Sequence, residues 1–195
     1  MTEHLKCPAS HDEMHLVLVP HGMVGRVVIR GTVGCPVCRV EYPVENGIVR
    51  FGPAPAMPAG PPRDPGLAEA VRALLGISNP GGVVGLVGSA CELGAPLAGL
   101  LGGVHLVGIN PPAQVEPSPS LSLLVHGTSL PLRSAVARGV VLGGEYASAP
   151  WLAEAVRVLL GGLRLVVLQS AVNAPPGVTP LAAGKGLWVG EKRRR

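Results

Sequence analysis

The sequence predicts an α/β protein in which a small β-rich lobe precedes a doubly wound α/β unit. Three observations predict this: cysteines spaced for a metal site within residues 1–52, a proline-rich stretch after them, and alternating strand-like and helical runs over residues 67–192. Short apolar strands that alternate with helices favour a parallel sheet covered on both faces. We therefore expect a lobe (1–52), a linker (53–66), an α/β unit (67–192) and a basic tail (193–195).

The metal site is predicted from cysteine spacing. Cys35 and Cys38 form a C-x2-C pair, and Cys7 precedes them by about thirty residues. Thiolates with this spacing gather around a tetrahedral zinc ion, which can stabilise a lobe too small for its own core. We expect His11, four residues after Cys7, to be the fourth ligand. The alternatives are that the cysteines pack as small hydrophobes without metal, or that the fourth ligand is another histidine of this segment: His4, His15 or His21.

The strands of the lobe are predicted from two short β-branched runs, residues 16–19 and 26–30. Pro20, Gly22 and Gly25 lie between the runs. Such runs separated by turn residues indicate an antiparallel hairpin. We expect this hairpin to carry the two ligand loops of a zinc ribbon.

Three pieces of this segment also carry a family resemblance: Leu5-Lys6-Cys7-Pro8, Cys35-Pro36-Val37-Cys38 and Tyr42-Pro43-Val44-Glu45-Asn46-Gly47-Ile48. They resemble the small zinc-ribbon family that activates tRNA and release-factor methyltransferases. The same ribbon is found fused in front of bacterial methyltransferase domains. The family has a second cysteine in its first knuckle, which this chain lacks.

Composition bounds the functional classes. Of the 195 residues, 14% are charged and 47% are hydrophobic, whereas about 25% are charged in a typical soluble domain. So little charge leaves more apolar surface than a freely diffusing monomer shows, which predicts a protein partner or a multi-subunit complex. The net charge of +4 is concentrated in Lys192-Arg193-Arg194-Arg195, which we expect to be a solvated tail or, alternatively, a contact with RNA or an anionic surface.

The compartment is predicted from the N-terminus and the cysteines. The sequence begins without the pattern of a signal peptide, and its cysteines suit metal in a reducing compartment, so we expect the cytoplasm. Residues 83–109 are apolar for long enough to cross a bilayer. Their glycines and Glu92 favour strand–helix–strand instead, and no transmembrane segment is expected.

The predicted elements of the second unit alternate along the chain. We expect helices over residues 67–75, 93–101 and 151–160, and strands over 83–87, 104–109, 121–125, 139–142, 163–168 and 186–190. Residues 111–119 and 174–180 are expected to be loops because of their prolines. In a doubly wound sheet, ligands bind beyond the carboxyl ends of the strands.

The order of four segments, residues 83–94, 107–111, 126–132 and 152–168, carries a second resemblance. They resemble the class I S-adenosylmethionine-dependent methyltransferases, which have a Rossmann-like fold. The resemblance spans about residues 67–192 and implies S-adenosylmethionine as a cofactor. If the cofactor site is retained, it implies these binding residues: Gly85, Gly88, Ser89, Asn110 and Thr128.

The departures from that family fall where the cofactor would bind. The acidic residue of the family's loop maps to Gly85, and its ribose-binding acid maps to Asn110. The three glycines of the family's loop are replaced by Val87, Ser89 and Cys91. Thr128 stands where the family has an aspartate on the adenine side of the cofactor, and Arg138 stands where it often has another aspartate. Side chains at loop glycines intrude on the space the cofactor needs. We therefore expect them to fill that space and to leave no ligand-sized cavity before Asn110.

No catalytic residue is assigned. Cys91 is expected to be a small buried residue and not a nucleophile, because no histidine is fixed beside it. Glu92 and Glu145 are expected to be solvated or loop carboxylates. The sequence thus favours a methyltransferase-like protein with an eroded cofactor site that acts as a non-catalytic subunit of an assembly; the alternative is an active methyltransferase with an atypical loop.

Overall fold

The structure, a computed structural model, describes residues 2–55 and 66–194. Most of the predicted linker, residues 56–65, lies outside the described residues, as does Arg195 of the basic tail. In the described part of the chain, no helix is both long and apolar enough to span a membrane. The apolar run 83–109 forms strand, helical turns and strand, as its glycines predict.

The N-terminal segment forms two β-hairpins. Strands β1 (Val17–Val24) and β2 (Val27–Gly34) are antiparallel, as predicted, and Gly25 turns between them with a φ of 57°. β1 is longer than predicted, since it continues through Pro20, which was expected in the turn. Pro20 is tolerated there because it lies next to a register shift on the edge strand, where a missing N–H costs no ladder hydrogen bond. The second hairpin, β3 (Glu41–Glu45) and β4 (Ile48–Arg50), was not predicted as strands. Its turn is Asn-Gly, the residue pair that suits the two positive φ angles of such turns.

The second segment alternates helices and strands, with these bounds: α1 (Leu67–Leu75), β5 (Val83–Val87), α2 (Gly94–Leu100), β6 (His105–Ile109), β7 (Leu121–Val125), β8 (Ala137–Gly143), α3 (Ala149–Val158), β9 (Leu159–Leu168), β10 (Val178–Gly184) and β11 (Leu187–Lys192). The predicted helix over residues 93–101 is observed as α2, and a 3₁₀ helix over residues 88–93 that was not predicted precedes it. The predicted loop 174–180 is corrected at its end, since β10 begins at Val178. Pro180 is tolerated there because β10 is an edge strand.

Within residues 2–55 and 66–194, the eleven strands form one sheet in the order β1-β2-β3-β4-β7-β6-β5-β8-β9-β11-β10. Counted from β5 as strand 1, the second segment has the order 3-2-1-4-5-7-6; its first five strands are parallel, and β11 is antiparallel to both of its neighbours. This is a doubly wound, Rossmann-like arrangement, so the predicted fold class is confirmed.

The two faces of the sheet are buried by alternate residues of the same strands. Val84 and Leu86 pack with α1 and α2, whereas Val83 and Val87 belong to the core that contains α3. Helices therefore cover both faces, as a parallel sheet requires.

The N-terminal hairpins continue this sheet and this core. β4 pairs in parallel with β7 through the Ile48/Leu123 and Arg50/Val125 partners. The core around α3 also contains N-terminal side chains: Leu5, Cys7, Val33, Tyr42, Val44, Val49 and Phe51. The segments predicted as a lobe and an α/β unit thus share one sheet, and their division into folding units stays a prediction.

Candidate functional sites

A cluster of four potential metal ligands lies where β2 leads into β3. The ligand atoms of Cys7, His11, Cys35 and Cys38 all lie within 4.8 Å of one another. Cys7 Sγ is 3.6 Å from Cys38 Sγ, and Cys35 Sγ is 3.3 Å from His11 Nε2. Metal–ligand distances of about 2.3 Å to sulfur and 2.0 Å to nitrogen place tetrahedral ligand atoms about 3.5–3.8 Å apart. The cluster could therefore hold a metal ion.

The backbone and neighbouring side chains orient these ligands. The N–H of Arg39, the residue after the knuckle, donates to the carbonyl of Cys35 at 2.9 Å and closes the turn that holds both cysteines. His11 Nδ1 lies 2.8 Å from the carbonyl of Asp12, so Nδ1 carries the proton and Nε2 faces the sulfurs with a lone pair. The backbone N–H of Val40 lowers the pKa of Cys38 to about 7, which favours the thiolate that metals bind.

A buried tyrosine completes the surroundings of the cluster. The hydroxyl of Tyr42 lies 3.0 Å from Cys7 Sγ. Burial, together with this thiol, raises the pKa of Tyr42, so its hydroxyl stays protonated and is able to donate to a thiolate. Tyr42 thus supports Cys7 from the core side, while Cys38 is exposed.

The other candidate histidines are not part of the cluster. His15 Nδ1 lies 3.2 Å from the carbonyl of Glu3, and His4 Nε2 lies 3.5 Å from a carboxylate oxygen of Glu3. His21 is exposed on β1. Of the four candidates, the structure brings only His11 to the cysteines.

A cleft of about 280 Å³ opens at the carboxyl ends of β5 and β6. The expectation that Val87 and Cys91 would fill this space is wrong, whereas Ser89 does line it. Val87 is buried in the core, and the thiol of Cys91 turns inward to the carbonyl of Leu86 at 3.2 Å. The cleft is slightly smaller than typical ligand pockets of about 300–1,000 Å³. Its described lining residues are Ala54, Pro55, Gly88, Ser89, Glu92, Asn110, Pro111, Pro112, Ala113, Gln114, Val125, Glu145 and Tyr146.

The loop after β5 is held by a carboxylate whose position there was not predicted. Glu145 accepts hydrogen bonds from the backbone N–H of Ser89 at 2.5 Å and from its hydroxyl at 2.8 Å. The prediction of a solvated or loop carboxylate missed this contact, which joins residues 56 positions apart. Gly88 has a φ of 62°, and a Cβ there would meet the Tyr146 ring and Glu145, so glycine is required.

Asn110 is held by the segment after β7. Its Nδ2 donates to the carbonyl of His126 and its Oδ1 accepts from the N–H of His126, both at 2.9 Å. The amide therefore joins the end of β6 to the chain beyond β7 while it lines the cleft.

The remaining predicted residues do not line the cleft. Gly85 is buried in the middle of β5, and Thr128 contacts His126 Nε2 at 3.2 Å without lining the cleft. Arg138 lies at the opposite end of the sheet, where it donates to the carbonyls of Asn79 and Gly81. Of the predicted cofactor residues, the structure brings together Gly88, Ser89 and Asn110.

The cleft is acidic. Among its described lining residues, Glu92 and Glu145 are charged, and there is no lysine or arginine. Glu92 accepts a hydrogen bond from Gln114 Nε2 at 2.6 Å. Burial raises the pKa of Tyr146 to about 12, so this hydroxyl stays neutral.

Comparisons with known proteins find chains that are similar to this one in fold. No model of a protein family matches the chain, and no curated protein matches its sequence. Among solved structures, the antibiotic-resistance methyltransferase Kmr is 16% identical with a TM-score of 0.47, over 71% of this chain and 99% of that one. A SAM-dependent methyltransferase from Aquifex aeolicus is 16% identical with a TM-score of 0.47, over 65% of this chain and 92% of that one.

A third similar chain comes from the complex of the Haloferax volcanii Trm112 methyltransferase activator with its methyltransferase partner. It is 18% identical with a TM-score of 0.43, over 51% of this chain and 50% of that one. At this level of likeness, the fold assignment rests on the strand order described above.

Proposed function

We propose that this chain is a methyltransferase-like protein whose cofactor site is eroded and that it acts as a non-catalytic subunit of a larger assembly. The observation that carries the proposal is that the polar groups of the cleft already have partners within the protein. Ser89 is bonded to Glu145, and Asn110 is bonded to the backbone of His126.

These contacts disfavour the binding of S-adenosylmethionine for an electrostatic reason. The backbone N–H of Ser89 lies at the first turn after β5, where ligands of doubly wound folds bind. To reach it, the carboxylate of the cofactor would have to displace Glu145 and then lie beside it. Two like charges about 4 Å apart repel by roughly 4 kcal/mol at an effective dielectric constant of 20, which corresponds to about a thousandfold in affinity. No cation among the described lining residues offsets this repulsion.

We assign zinc to the Cys7, His11, Cys35 and Cys38 cluster. Three sulfurs and one imidazole nitrogen that lie within 4.8 Å of one another are a ligand set that zinc prefers. All four positions are protein ligands, which is the pattern of a structural site and not of a catalytic one. Metal-bound cysteines also fit a reducing compartment, for which we propose the cytoplasm.

The exposed apolar side chains favour a protein partner. Val17, Val19 and Val24 of the edge strand β1 are 56%, 50% and 70% exposed, and Val37 of the cysteine knuckle is 49% exposed. An edge strand with apolar side chains invites pairing with another chain. These residues are the surface through which we expect the subunit to join its assembly.

Calorimetric titration of the zinc-loaded full chain with S-adenosylhomocysteine and S-adenosylmethionine tests the loss of the cofactor site. We expect no heat of binding up to about 1 mM ligand, a concentration that corresponds to about −4 kcal/mol. Micromolar binding by the wild-type chain would overturn the proposal. Affinity purification at native expression should then recover a stable protein partner, and recovery of the chain alone would contradict the assembly.

The second candidate is an active methyltransferase with an atypical loop, and the open cleft beside Gly88 favours it. In that case S-adenosylmethionine should bind at micromolar concentration. Gly88→Val should abolish binding, because its side chain would meet Tyr146 and its backbone would be strained at a positive φ. Binding that survives this substitution would exclude the cleft as the cofactor site.

A further inference from the structure

An apolar groove of about 430 Å³ lies between α1 and the β10–β11 hairpin, near the edge of the sheet that β10 forms. Its volume falls within the range of about 300–1,000 Å³ that is typical of ligand pockets. Of its ten described lining residues, only Lys185 is charged: Ala70, Ala73, Leu74, Ala182, Ala183, Gly184, Lys185, Leu187, Trp188 and Val189. The groove and the cleft share none of these residues, so an inference about the groove does not depend on the function proposed above.

The groove exists because α1 ends before the edge of the sheet. α1 packs on β9, and within the described residues no helix packs closely on β11 or β10 on this face. The inner side of the groove is formed by residues that belong to the core around α1 and α2 or pack on it: Leu74, Leu187 and Val189. Apolar side chains are therefore left at the surface, where burial by a ligand is favourable.

Both sides of the groove are held in place. Arg164 of β9 donates from Nη1 to the carbonyl of Leu74 at 2.8 Å, which fixes the end of α1. β11 pairs with β9 on one side and with β10 on the other, and the N–H of Arg193 donates to the carbonyl of Gly177 at 2.9 Å just before β10. The expectation of a solvated tail therefore does not hold for Arg193. A groove with fixed sides is preformed, which lowers the entropy cost of binding.

Alanine side chains leave the space of the groove open. Ala70 and Ala73 line it from α1, and Ala182 and Ala183 line it from β10. Ala73 is exposed, so a larger side chain introduced there occupies the groove without entering the core.

Lys185 supplies the charge of the groove. It lies in the turn between β10 and β11, with a φ of 49°. Its side chain makes no hydrogen bond or ion pair with any residue that the structure describes, and no acidic residue is among those that line the groove. The ammonium group is thus available to an anion that lies at this end of the groove.

We propose that this groove binds an amphipathic carboxylate, with an unbranched alkyl chain along the apolar side chains and the carboxylate beside Lys185. A lysine ammonium is a compact charge that suits a small anionic group. No lining side chain carries a hydroxyl, amide or carboxylate, so a sugar or a nucleotide would leave polar groups unpaired there. An alkyl chain has no such groups, and each buried methylene contributes about 0.8 kcal/mol, or about fourfold in affinity.

Calorimetric titration of the full chain with hexanoate, octanoate, decanoate and dodecanoate tests this proposal. The affinity should rise by about fourfold for each added methylene until the groove is full. An affinity that does not rise with chain length, or no binding of decanoate up to about 1 mM, would overturn the site.

Two substitutions test the position of the ligand. Ala73→Trp should weaken decanoate binding by at least about tenfold, which corresponds to the loss of about two buried methylenes. Its matched control is Ala95→Trp, at an exposed position of α2 that does not line the groove. Lys185→Asn should weaken decanoate binding by up to about fivefold and leave decanol binding unchanged, because asparagine tolerates the positive φ and only the charge is lost. Its matched control is Arg72→Gln, which removes an exposed cation of α1 outside the groove.

Four results would contradict the proposal. Equal weakening by Ala73→Trp and Ala95→Trp would place the ligand elsewhere. Equal effects of Lys185→Asn and Arg72→Gln would remove the contact with the carboxylate. Binding to phosphatidylglycerol vesicles without binding of free decanoate would show a membrane surface instead of a single bound chain. A dimer in light scattering that Ala73→Trp dissociates would show that a second copy of the chain covers the groove.

Discussion

Removal of the metal should destabilise more than the N-terminal hairpins. Five side chains of that segment are at most 7% exposed in the core they share with the second segment: Leu5, Val33, Val44, Val49 and Phe51. Full burial of such a side chain contributes about 1.5–3 kcal/mol, so together they account for about 8–15 kcal/mol as an upper estimate. A typical domain has a total stability of about 5–15 kcal/mol. If the N-terminal segment becomes disordered, the free energy lost is therefore comparable with the total free energy of unfolding of a typical domain.

Hydrogen exchange with mass spectrometry, with and without a zinc chelator, measures how far the effect extends. Exchange should rise in residues 17–50 and also in β7, because β7 loses its partner β4 and the bond from the N–H of Phe51 to the carbonyl of Val125. β9, on the far side of the sheet, should lose protection last. Cys35→Ser should reproduce the chelator's effect, whereas the sequence alone limits that effect to the residues before Pro53.

Two results would refute this reasoning. If residues 17–50 exchange freely while β7 stays protected, then disorder of the N-terminal hairpins does not destabilise the neighbouring strand of the sheet. If chelation changes neither, then the cluster does not hold a structural metal. Cys91→Ser is the matched control, because Cys91 is a buried thiol outside the cluster and its loss should leave the zinc content near one per chain.

Three further changes test the ligand set, the cleft and the partly buried ion pair of Glu154 and Arg157. His11→Ala should speed zinc loss to a chromogenic chelator by about tenfold or more, whereas His15→Ala should not; equal rates would remove His11 from the site. Glu145→Gln should make S-adenosylhomocysteine binding measurable by calorimetry, and an equal affinity of the wild type would show that this carboxylate is no obstacle. Glu154→Gln should lower the free energy of unfolding by about 1–2 kcal/mol at pH 7. Burial alone would raise the pKa of Glu154, but the guanidinium of Arg157 lowers it overall. The stabilisation is thus present above the unfolded pKa, near 4.3, and is lost as the pH falls through the lower folded value; a difference that persists in urea unfolding at pH 2.5 would contradict this.

The elements that the sequence predicts well are those whose signal is local. Val83–Val87 is a buried apolar run between glycines with positive φ, and its bounds match the prediction. The helix Leu67–Leu75 matches as well, because its apolar residues share one face and Gly76 ends it in a left-handed conformation. The pairing of Cys35 with Cys38 also follows from local spacing, whereas the contacts that join them to Cys7 and His11 span 31 and 24 positions.

The features that the sequence does not predict are set by distant partners. The three-residue strand Ile48–Arg50 has too little pattern to show that it pairs with β7. β10 contains Pro180, which argues against a strand unless the strand is known to lie at an edge. The bond from Ser89 to Glu145 joins two loops that only the order of β5 and β8 brings together.

The shared sheet also joins the cluster of three cysteines and His11 to the cleft. β4 leads directly to Phe51, whose N–H bonds the carbonyl of Val125, and the next residue, His126, holds both atoms of the Asn110 amide. Residues 54 and 55, which follow the N-terminal hairpins, line the cleft themselves. One wall of the cleft is therefore supplied by a segment whose order we expect to depend on the metal. It follows that any ligand of the cleft, whether S-adenosylmethionine or another, should bind the metal-loaded chain more tightly than the metal-free chain, because only the loaded chain has both walls in place.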